Sequence, residues 1–230
     1  MISILTPSRS RPELAKRMRN SAFASPGCEI DIKFYLNFDD PLLDKYIEFL
    51  PKNEYINGPN QSTCYSWNLM AESATYDILF LVGDDVQFET ENWGLKILNA
   101  FNLYEDKIAC VYPRAPSVSS KKNPHFCLHK NWINATGYFL PPHFYHWYVD
   151  TWIGYVARSI SRFHLITDFE LPIEKIRDEV TSAYHNSWMK ERDEWMWDKT
   201  ARHREADVEC LRLFISNYPM SHVTPAFPTT

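Results

Sequence analysis

The chain lacks three features, each of which would place it in a familiar class of protein. Its five cysteines are widely spaced and include no C-x-x-C pair, so the sequence indicates neither a zinc knuckle nor a disulfide framework. No apolar run approaches the ~20 residues that a membrane-spanning helix needs, and no basic and apolar leader opens the chain. Its net charge of −5 argues against a protein whose main task is to grip nucleic-acid phosphates. We therefore expect a cytoplasmic protein with free thiols and no membrane partner.

The remaining composition is that of a globular domain. The chain has 230 residues, of which 45% are hydrophobic and 23% are charged, and this length is ample for one sizeable core. It contains no internal repeat and no low-complexity linker. We therefore expect a single domain over residues 1–230.

The most informative segment is a short apolar run that ends in two acids. Residues 78–82 are all apolar and are followed by Gly83, Asp84 and Asp85. A short apolar run bounded by turn residues is typical of a strand buried on both faces. Two carboxylates at its end repel each other and lose hydration unless a positive charge lies beside them, and their oxygens suit Mg²⁺ or Mn²⁺. The segment predicts a metal and a nucleotide-like ligand at the carboxyl edge of a sheet, against the alternative of a solvated turn.

Strand-like and helix-like patterns alternate along the first half of the chain. Strands are predicted at residues 2–6, 29–37, 55–56, 78–82 and 107–112. Helices are predicted between them, at residues 12–19, 41–50, 62–75 and 91–103, with Ser62 as an N-cap. This order predicts an α/β fold with a mainly parallel central sheet flanked by helices.

The second half carries fewer clear patterns. Residues 126–140 predict one or two strands. Asp150 is followed by an amphipathic helix up to residue 161, and residues 164–168 predict a short strand. From residue 172 the chain is charged and helical, and it ends in an extended tail over about 215–230.

Several stretches resemble the GT-A fold glycosyltransferases, especially the family 2-like enzymes that use nucleotide sugars. Residues 2–13 resemble their opening strand and turn, and residues 36–40 resemble their second strand with its terminal acid. Residues 79–86 are similar to their Asp-x-Asp region, and Asp150 and His185 stand where many relatives carry a catalytic carboxylate and a C-terminal histidine.

The resemblance implies one GT-A (Rossmann-like) domain with a helical C-terminal region. Its nucleotide-binding half would span about 1–112 and its acceptor half about 113–200. The chain is compact, and such single-domain transferases resemble some phage-encoded enzymes.

The resemblance also assigns a divalent cation, Mn²⁺ or Mg²⁺, to the acids after the buried strand. Asp85 would ligate the metal directly, and Asp84 would hold the ribose or a metal-bound water. His185 would be the third protein ligand or a phosphate contact. Position 83 is Gly where an acid is common in the family, which shortens the motif to Asp84 and Asp85.

A second set of residues is assigned to the nucleotide part of the donor, a UDP-sugar. Its members lie at the ends of the first two predicted strands or in the C-terminal helical region: Thr6, Pro7, Arg9, Arg11, Asp39, Asp40 and Lys190. Guanidinium groups suit a base edge or a phosphate, and carboxylates accept hydrogen bonds from a base imide or a ribose. Turn formation before Pro41 is the alternative role for the two aspartates, and a surface role is the alternative for Lys190.

The acceptor side is assigned to the second half of the chain. Asp150 is the candidate general base that removes a hydroxyl proton, and its alternative role is the N-cap of a helix that starts at Thr151. Trp147 and Trp152 are candidates for a platform on which a sugar ring or a base stacks.

The leading hypothesis is a metal-dependent glycosyltransferase that moves a hexosyl or pentosyl group from a nucleotide sugar to an acceptor hydroxyl. The acceptor could be a glycan, a small molecule or a hydroxymethylated DNA base. One alternative is a nucleotidyltransferase that builds a sugar nucleotide, which the absence of Gly from residues 7–12 disfavours. A non-catalytic carbohydrate-binding module is the other alternative.

Overall fold

The computed structural model describes residues 1–116, 124–174 and 188–219. Seven strands form one sheet in the order β3-β2-β1-β4-β6-β5-β7. Only β6 runs antiparallel to its neighbours β4 and β5, so the mainly parallel sheet is confirmed. The strands are β1 (Ile2–Ser8), β2 (Ile30–Asn37), β3 (Tyr55–Gly58), β4 (Ile78–Leu81), β5 (Cys110–Arg114), β6 (Phe126–His129) and β7 (Phe163–Glu170).

Helices cover both faces of the sheet within the described part of the chain. They are α1 (Pro12–Ala24), α2 (Leu43–Ile47), α3 (Thr63–Ser73), α4 (Trp93–Asn102), α5 (Lys130–Thr136), α6 (Val149–Ser159), α7 (Trp188–Lys199) and α8 (Ala201–Asn217), with a 3₁₀ turn at Lys52–Glu54. None of these helices is both long and apolar enough to cross a membrane.

Two hydrophobic cores hold the layers together, one on each face of the sheet. Trp93 of α4 packs with Phe80 and Phe169 on one face, and its indole N–H donates to the Ala22 carbonyl at 3.2 Å. On the other face Trp152 of α6 is fully buried and donates to a carboxylate oxygen of Asp207 on α8 at 2.8 Å. Each buried aromatic contributes about 1.5–3 kcal/mol through apolar burial, and the polar tips of both indoles are satisfied.

The connections bring three helix N-termini to the carboxyl edge of the sheet. Helices α1, α3 and α6 each precede a parallel strand, so each runs antiparallel to that strand and begins at the edge where the strands end. Ser62 caps α3 by accepting from the Tyr65 amide at 3.1 Å, which confirms the predicted cap. This edge therefore combines the strand ends with the positive ends of helix dipoles.

Three local predictions differ from the structure. Residues 126–140 contain one of the one or two predicted strands, β6, but continue as α5, because the His129 ring accepts from the Asn131 amide and caps a helix. The N-cap position of α6 is Tyr148, so Asp150 lies inside the first turn and is not the cap. The last helix, α8, continues to Asn217 and so extends into the range expected to be tail, because Val208 and Leu211 are buried along it.

The indole of Trp152 provides a test of the second core. Trp152→Phe keeps the ring contacts but removes a donor from the buried Asp207 carboxylate, so the free energy of unfolding should fall by about 1–3 kcal/mol. Urea denaturation monitored by circular dichroism measures the change. Trp195→Phe is the control, since Trp195 is 58% exposed and should give an unchanged midpoint. Equal midpoints for the two variants would contradict the assigned role of Trp152.

Candidate functional site

Two aspartate pairs stand at the carboxyl edge, one after β2 and one after β4. In each pair one carboxylate is buried and the other is more accessible. Asp40 and Asp84 are each 5% exposed. The side chain of Asp39 is 59% exposed, and Asp85 is partly exposed. The buried members organise the loops, and the accessible members are the ones within reach of a ligand.

Asp84 belongs to a closed ring of hydrogen bonds that joins three loops. The Arg11 amide donates to the Tyr46 hydroxyl at 2.8 Å, and Tyr46 donates to Ser8 Oγ at 2.8 Å. Ser8 donates to Asp84 Oδ2 at 2.6 Å, and the Arg11 guanidinium returns to Asp84 Oδ1 at 3.3 Å. Burial raises the pKa of Asp84, while the Ser8 bond and the Arg11 charge oppose that rise. Both oxygens of Asp84 are therefore engaged by the protein itself.

Asp40 organises the loop that follows β1. Its carboxylate accepts from the Ser10 amide at 2.7 Å, from the Ser10 hydroxyl at 3.2 Å and from the Leu42 amide at 2.9 Å. Ser10 has a φ of 56°, a conformation that a residue with a side chain adopts only when its surroundings hold it. These contacts support the turn-forming alternative for Asp40, and its contact with a nucleoside stays a prediction.

Arg9 and Asp39 form an accessible ion pair on the rim. Arg9 Nη1 and Nη2 donate to the two Asp39 carboxylate oxygens at 2.6 and 3.2 Å. The Arg9 hydrogen bond is the main cause that lowers the pKa of Asp39. The pair presents a cation and an anion side by side at the end of β2, where the sequence predicted nucleoside contacts.

The charge of the Asp85 carboxylate is only partly compensated by the described residues. Burial, followed by repulsion from Asp84, raises the pKa of Asp85 to about 6, and Glu174 adds to the rise. The Glu174 amide donates to the Asp85 carbonyl at 2.8 Å, so the chain after β7 passes beside this turn. The Asp85 carboxylate lies against Gly83, where a Cβ would collide with Asp85 Oδ1. A larger residue at position 83 would displace the carboxylate.

These residues fit a hard divalent cation. The carboxylate oxygens of Asp85 are ligands that Mg²⁺ and Mn²⁺ accept, and a cation would relieve the Asp84 repulsion that, after burial, raises the Asp85 pKa. Both Asp84 oxygens accept from Ser8 and Arg11, so the contact of Asp84 with a ribose or a metal-bound water stays a prediction. Within residues 1–116, 124–174 and 188–219, no group of three or more His, Cys, Asp or Glu side chains could hold a metal ion. His185 lies outside the described residues, so its role as third ligand stays a prediction.

Two of the residues predicted to contact a ligand are fully buried in the structure. Thr6 is fully buried, so no part of it is accessible to a nucleoside, whereas the neighbouring Pro7 is partly exposed. Trp152 is also fully buried and held by Asp207, so it cannot offer a face to an acceptor. The helical periodicity that Trp152 shares with Val156 favours burial of this side chain, whereas Trp147 precedes the helix.

The predicted acceptor side lies at the same edge of the sheet. Asp150 lies in the first turn of α6, near Tyr112 of β5, whose pKa is raised by burial and further by the Asp150 charge. Trp147 is partly buried in the turn before α6, and the Lys190 ammonium lies 5.9 Å from the centre of its ring. Lys190 is thus on the acceptor side, and its predicted contact with the diphosphate stays a prediction.

Four residues of this edge were not predicted. Ser8 and Tyr46 complete the Asp84 ring, and Asp193 of α7 binds the turn before α6. His125 precedes β6, and its ring would lie 3.4 Å from a Cβ at position 83. Burial lowers the pKa of His125 to about 4. Ser8 gave no distinctive signal, since Ser3 and Thr6 are small polar residues of the same strand.

The chain matches no protein-family model and no curated protein, but it resembles solved structures. Residues 1–349 of TarS from S. aureus, in complex with UDP-GlcNAc, match with a TM-score of 0.61 at 12% identity, over 79% of this chain and 60% of that chain. The mannosyltransferase PcManGT from Pyrobaculum calidifontis, in complex with GDP-Man and Mn²⁺, matches with a TM-score of 0.56 at 10% identity, over 94% of this chain and 75% of that chain.

These two neighbours are GT-A-type glycosyltransferases, and at such low identity the likeness shows the fold alone. The chain spans about 60% of the TarS fragment it matches. The predicted GT-A-like α/β fold is confirmed.

Neutralising Asp85 should stabilise the metal-free protein. Its folded pKa of about 6 exceeds the ordinary value of 3.8, so the folded state binds the proton more tightly and the ionised form costs stability above pH 6. In the presence of a chelator, Asp85→Asn should raise the free energy of unfolding by about 1–3 kcal/mol at pH 7.5. The gain should shrink as the pH falls from 6 to 4. Urea titrations over this pH range measure it, and a loss of stability at pH 7.5 would contradict the assigned environment.

Breaking the Asp84 ring should have the opposite effect. Tyr46→Phe leaves the Arg11 amide without its acceptor and Ser8 without its donor, so the free energy of unfolding should fall by about 1–3 kcal/mol. Tyr65→Phe is the matched control, since Tyr65 is exposed and should unfold at the parent midpoint. A Tyr46→Phe variant as stable as this control would show that the ring contributes nothing.

Proposed function

We propose that the chain is a metal-dependent glycosyltransferase that uses a nucleotide-sugar donor, a UDP-sugar, and an acceptor hydroxyl. One observation carries the proposal. At the carboxyl edge of a GT-A-like sheet, Asp84 is held inside by Ser8 and Arg11, while Asp85 remains accessible with an excess of negative charge. This is the arrangement that a cation bound to a diphosphate requires.

Asp85, with Asp84 behind it, would hold Mn²⁺ or Mg²⁺. When bound, the cation would neutralise the charge that develops on the departing nucleoside diphosphate. Arg11 donates to Asp84 and so holds its carboxylate at the end of β4. Asp85 follows Asp84 directly, so the same contact helps to fix the position of Asp85. The rim pair of Arg9 and Asp39 would bind the nucleoside, with Asp39 accepting from a base imide or a ribose hydroxyl.

Asp150 would remove the proton of the acceptor hydroxyl as its oxygen attacks the anomeric carbon. Its place in the first turn of α6 supports this role, since the positive end of the helix favours a negative carboxylate. Trp147 is the remaining candidate for stacking an acceptor, because Trp152 is buried. The bound UDP-GlcNAc of the TarS structure and the bound GDP-Man and Mn²⁺ of PcManGT support a nucleotide-sugar donor. A glycan, a small molecule and a hydroxymethylated DNA base remain the proposed acceptor classes.

A thermal-shift assay tests the donor and the metal together. UDP, GDP and CDP are added with and without Mn²⁺, and a ligand that binds only the folded chain raises the melting temperature. We expect UDP to raise it most, and only with Mn²⁺. The donor assignment is wrong if GDP or CDP raises it more than UDP does.

Release of UDP from a UDP-sugar in the absence of acceptor tests the catalytic proposal. We expect slow release that Mn²⁺ stimulates and that Asp85→Ala lowers by about 100-fold, equivalent to ~2.7 kcal/mol. Asp77→Ala is the matched control, because Asp77 is an exposed acid that precedes the same strand at its opposite end. An Asp85→Ala variant that releases UDP as fast as the Asp77→Ala control would falsify the role of Asp85.

A further inference from the structure

The turn before α6 is held by one buried carboxylate from α7. Asp193 is fully buried and accepts from three consecutive backbone amides. The Tyr145 amide lies 2.9 and 3.0 Å from its two oxygens, and the His146 and Trp147 amides lie 2.8 and 2.9 Å from Oδ2. Arg192 donates to Asp193 at 2.8 Å and to the His143 carbonyl at 3.0 Å. A single turn of α7 thus fixes residues 143–147.

The opposite side of the same turn is held by α3. The Thr63 amide donates to the Tyr145 carbonyl at 2.8 Å, and the Thr63 hydroxyl lies 2.9 Å from His146 Nδ1. The turn is therefore fixed by hydrogen bonds from two helices that lie far apart in the chain, Thr63–Ser73 and Trp188–Lys199. Such a turn has little freedom to change its backbone conformation.

The residue that follows the turn is in a conformation that needs this support. Tyr148 has a φ of 68°, and a left-handed conformation costs a residue with a side chain about 1–2 kcal/mol. Strain of this kind persists where the surrounding structure imposes it. Tyr148 is the N-cap of α6, and Asp150 follows two residues later. The position of Asp150 at the start of α6 therefore depends on the turn that Asp193 holds.

A role limited to attaching α7 does not explain why position 193 is an aspartate. A buried ionised carboxylate loses several kcal/mol of hydration, which its hydrogen bonds only offset, and apolar packing would attach α7 without that loss. What the carboxylate adds is a defined backbone geometry, because one oxygen can accept from successive amides only in one arrangement.

We propose that Asp193 is the positioning residue for the general base Asp150. It touches neither donor nor metal and acts by fixing the turn at residues 143–147. The inference rests on the proposed function. Loss of Asp193 should slow the step that Asp150 assists and leave donor binding unchanged, because Arg9, Asp39 and Asp85 lie in the loops that follow β1, β2 and β4 and not on this turn.

Amide hydrogen exchange tests the clamp without reference to activity. In the parent protein the amides of residues 145–147 should exchange as slowly as those of the core strands, although their side chains are partly exposed. Asp193→Asn keeps the shape but replaces one acceptor oxygen with a donor, and it should speed the exchange of these amides at least tenfold. Fast exchange in the parent would overturn the proposal even if no variant folds.

Kinetics test the link to Asp150. UDP-GlcNAc and GDP-Man, each with Mn²⁺, serve as probes, and release of the nucleotide is measured over a range of pH. We expect Asp193→Asn to lower kcat by about 10- to 100-fold while KM for the probe stays within twofold. In an Asp150→Asn background the same change should have no further effect, because the two residues act as one unit.

Two variants separate positioning from loss of stability. Asp198→Asn changes an exposed acid on the same helix and should behave as the parent. Trp93→Phe loses a buried hydrogen bond in the other core and should lower stability without lowering kcat. Equal kcat values for Asp193→Asn and the parent, or additive losses with Asp150→Asn, would overturn the inference alone. A parent that releases nucleotide from neither probe would instead overturn the proposed function on which it rests.

Discussion

The candidate site depends on buried carboxylates that accept hydrogen bonds from residues of other elements. Asp84 joins the loops after β1, β2 and β4 through Ser8, Tyr46 and Arg11, and Asp193 fixes the turn before α6. A desolvated anion requires donors at defined positions, so each buried acid determines the path of the backbone around it. Its accessible neighbours are thereby held ready for a ligand.

This arrangement concentrates negative charge at one edge of the sheet. The N-termini of α1, α3 and α6 and the Arg11 guanidinium compensate part of it, and the raised pKa of Asp85 shows that compensation is incomplete. The metal-free protein is therefore expected to be less stable than a variant with an amide at position 85. Binding of the proposed cation and diphosphate would offset this cost.

The sequence predicted the strands and helices that carry this site, but not which of its aspartates are buried. The apolar run before Asp84, the cap at Ser62 and the alternation of strands and helices are local patterns, and the structure confirms all three. Which aspartate of each pair is buried depends on partners far along the chain, since Ser8 precedes Asp84 by 76 residues. Beyond the end of a strand, the two-residue alternation of side chains no longer applies. Residue spacing there does not show which side chain points into the protein and which points to solvent.

The acceptor half was harder to predict for a related reason. Trp147 and Trp152 are five residues apart and equally suitable for stacking, yet only Trp152 is fully buried, because α8 supplies Asp207 to its indole. Helix α7 in turn supplies Asp193 to the turn before α6. The C-terminal helices therefore fix the residues around α6, as Ser8, Arg11 and Tyr46 fix those after β4. Both parts of the candidate site are shaped by polar groups from other elements, so neither could be assembled from the proposed substrate-contacting residues alone.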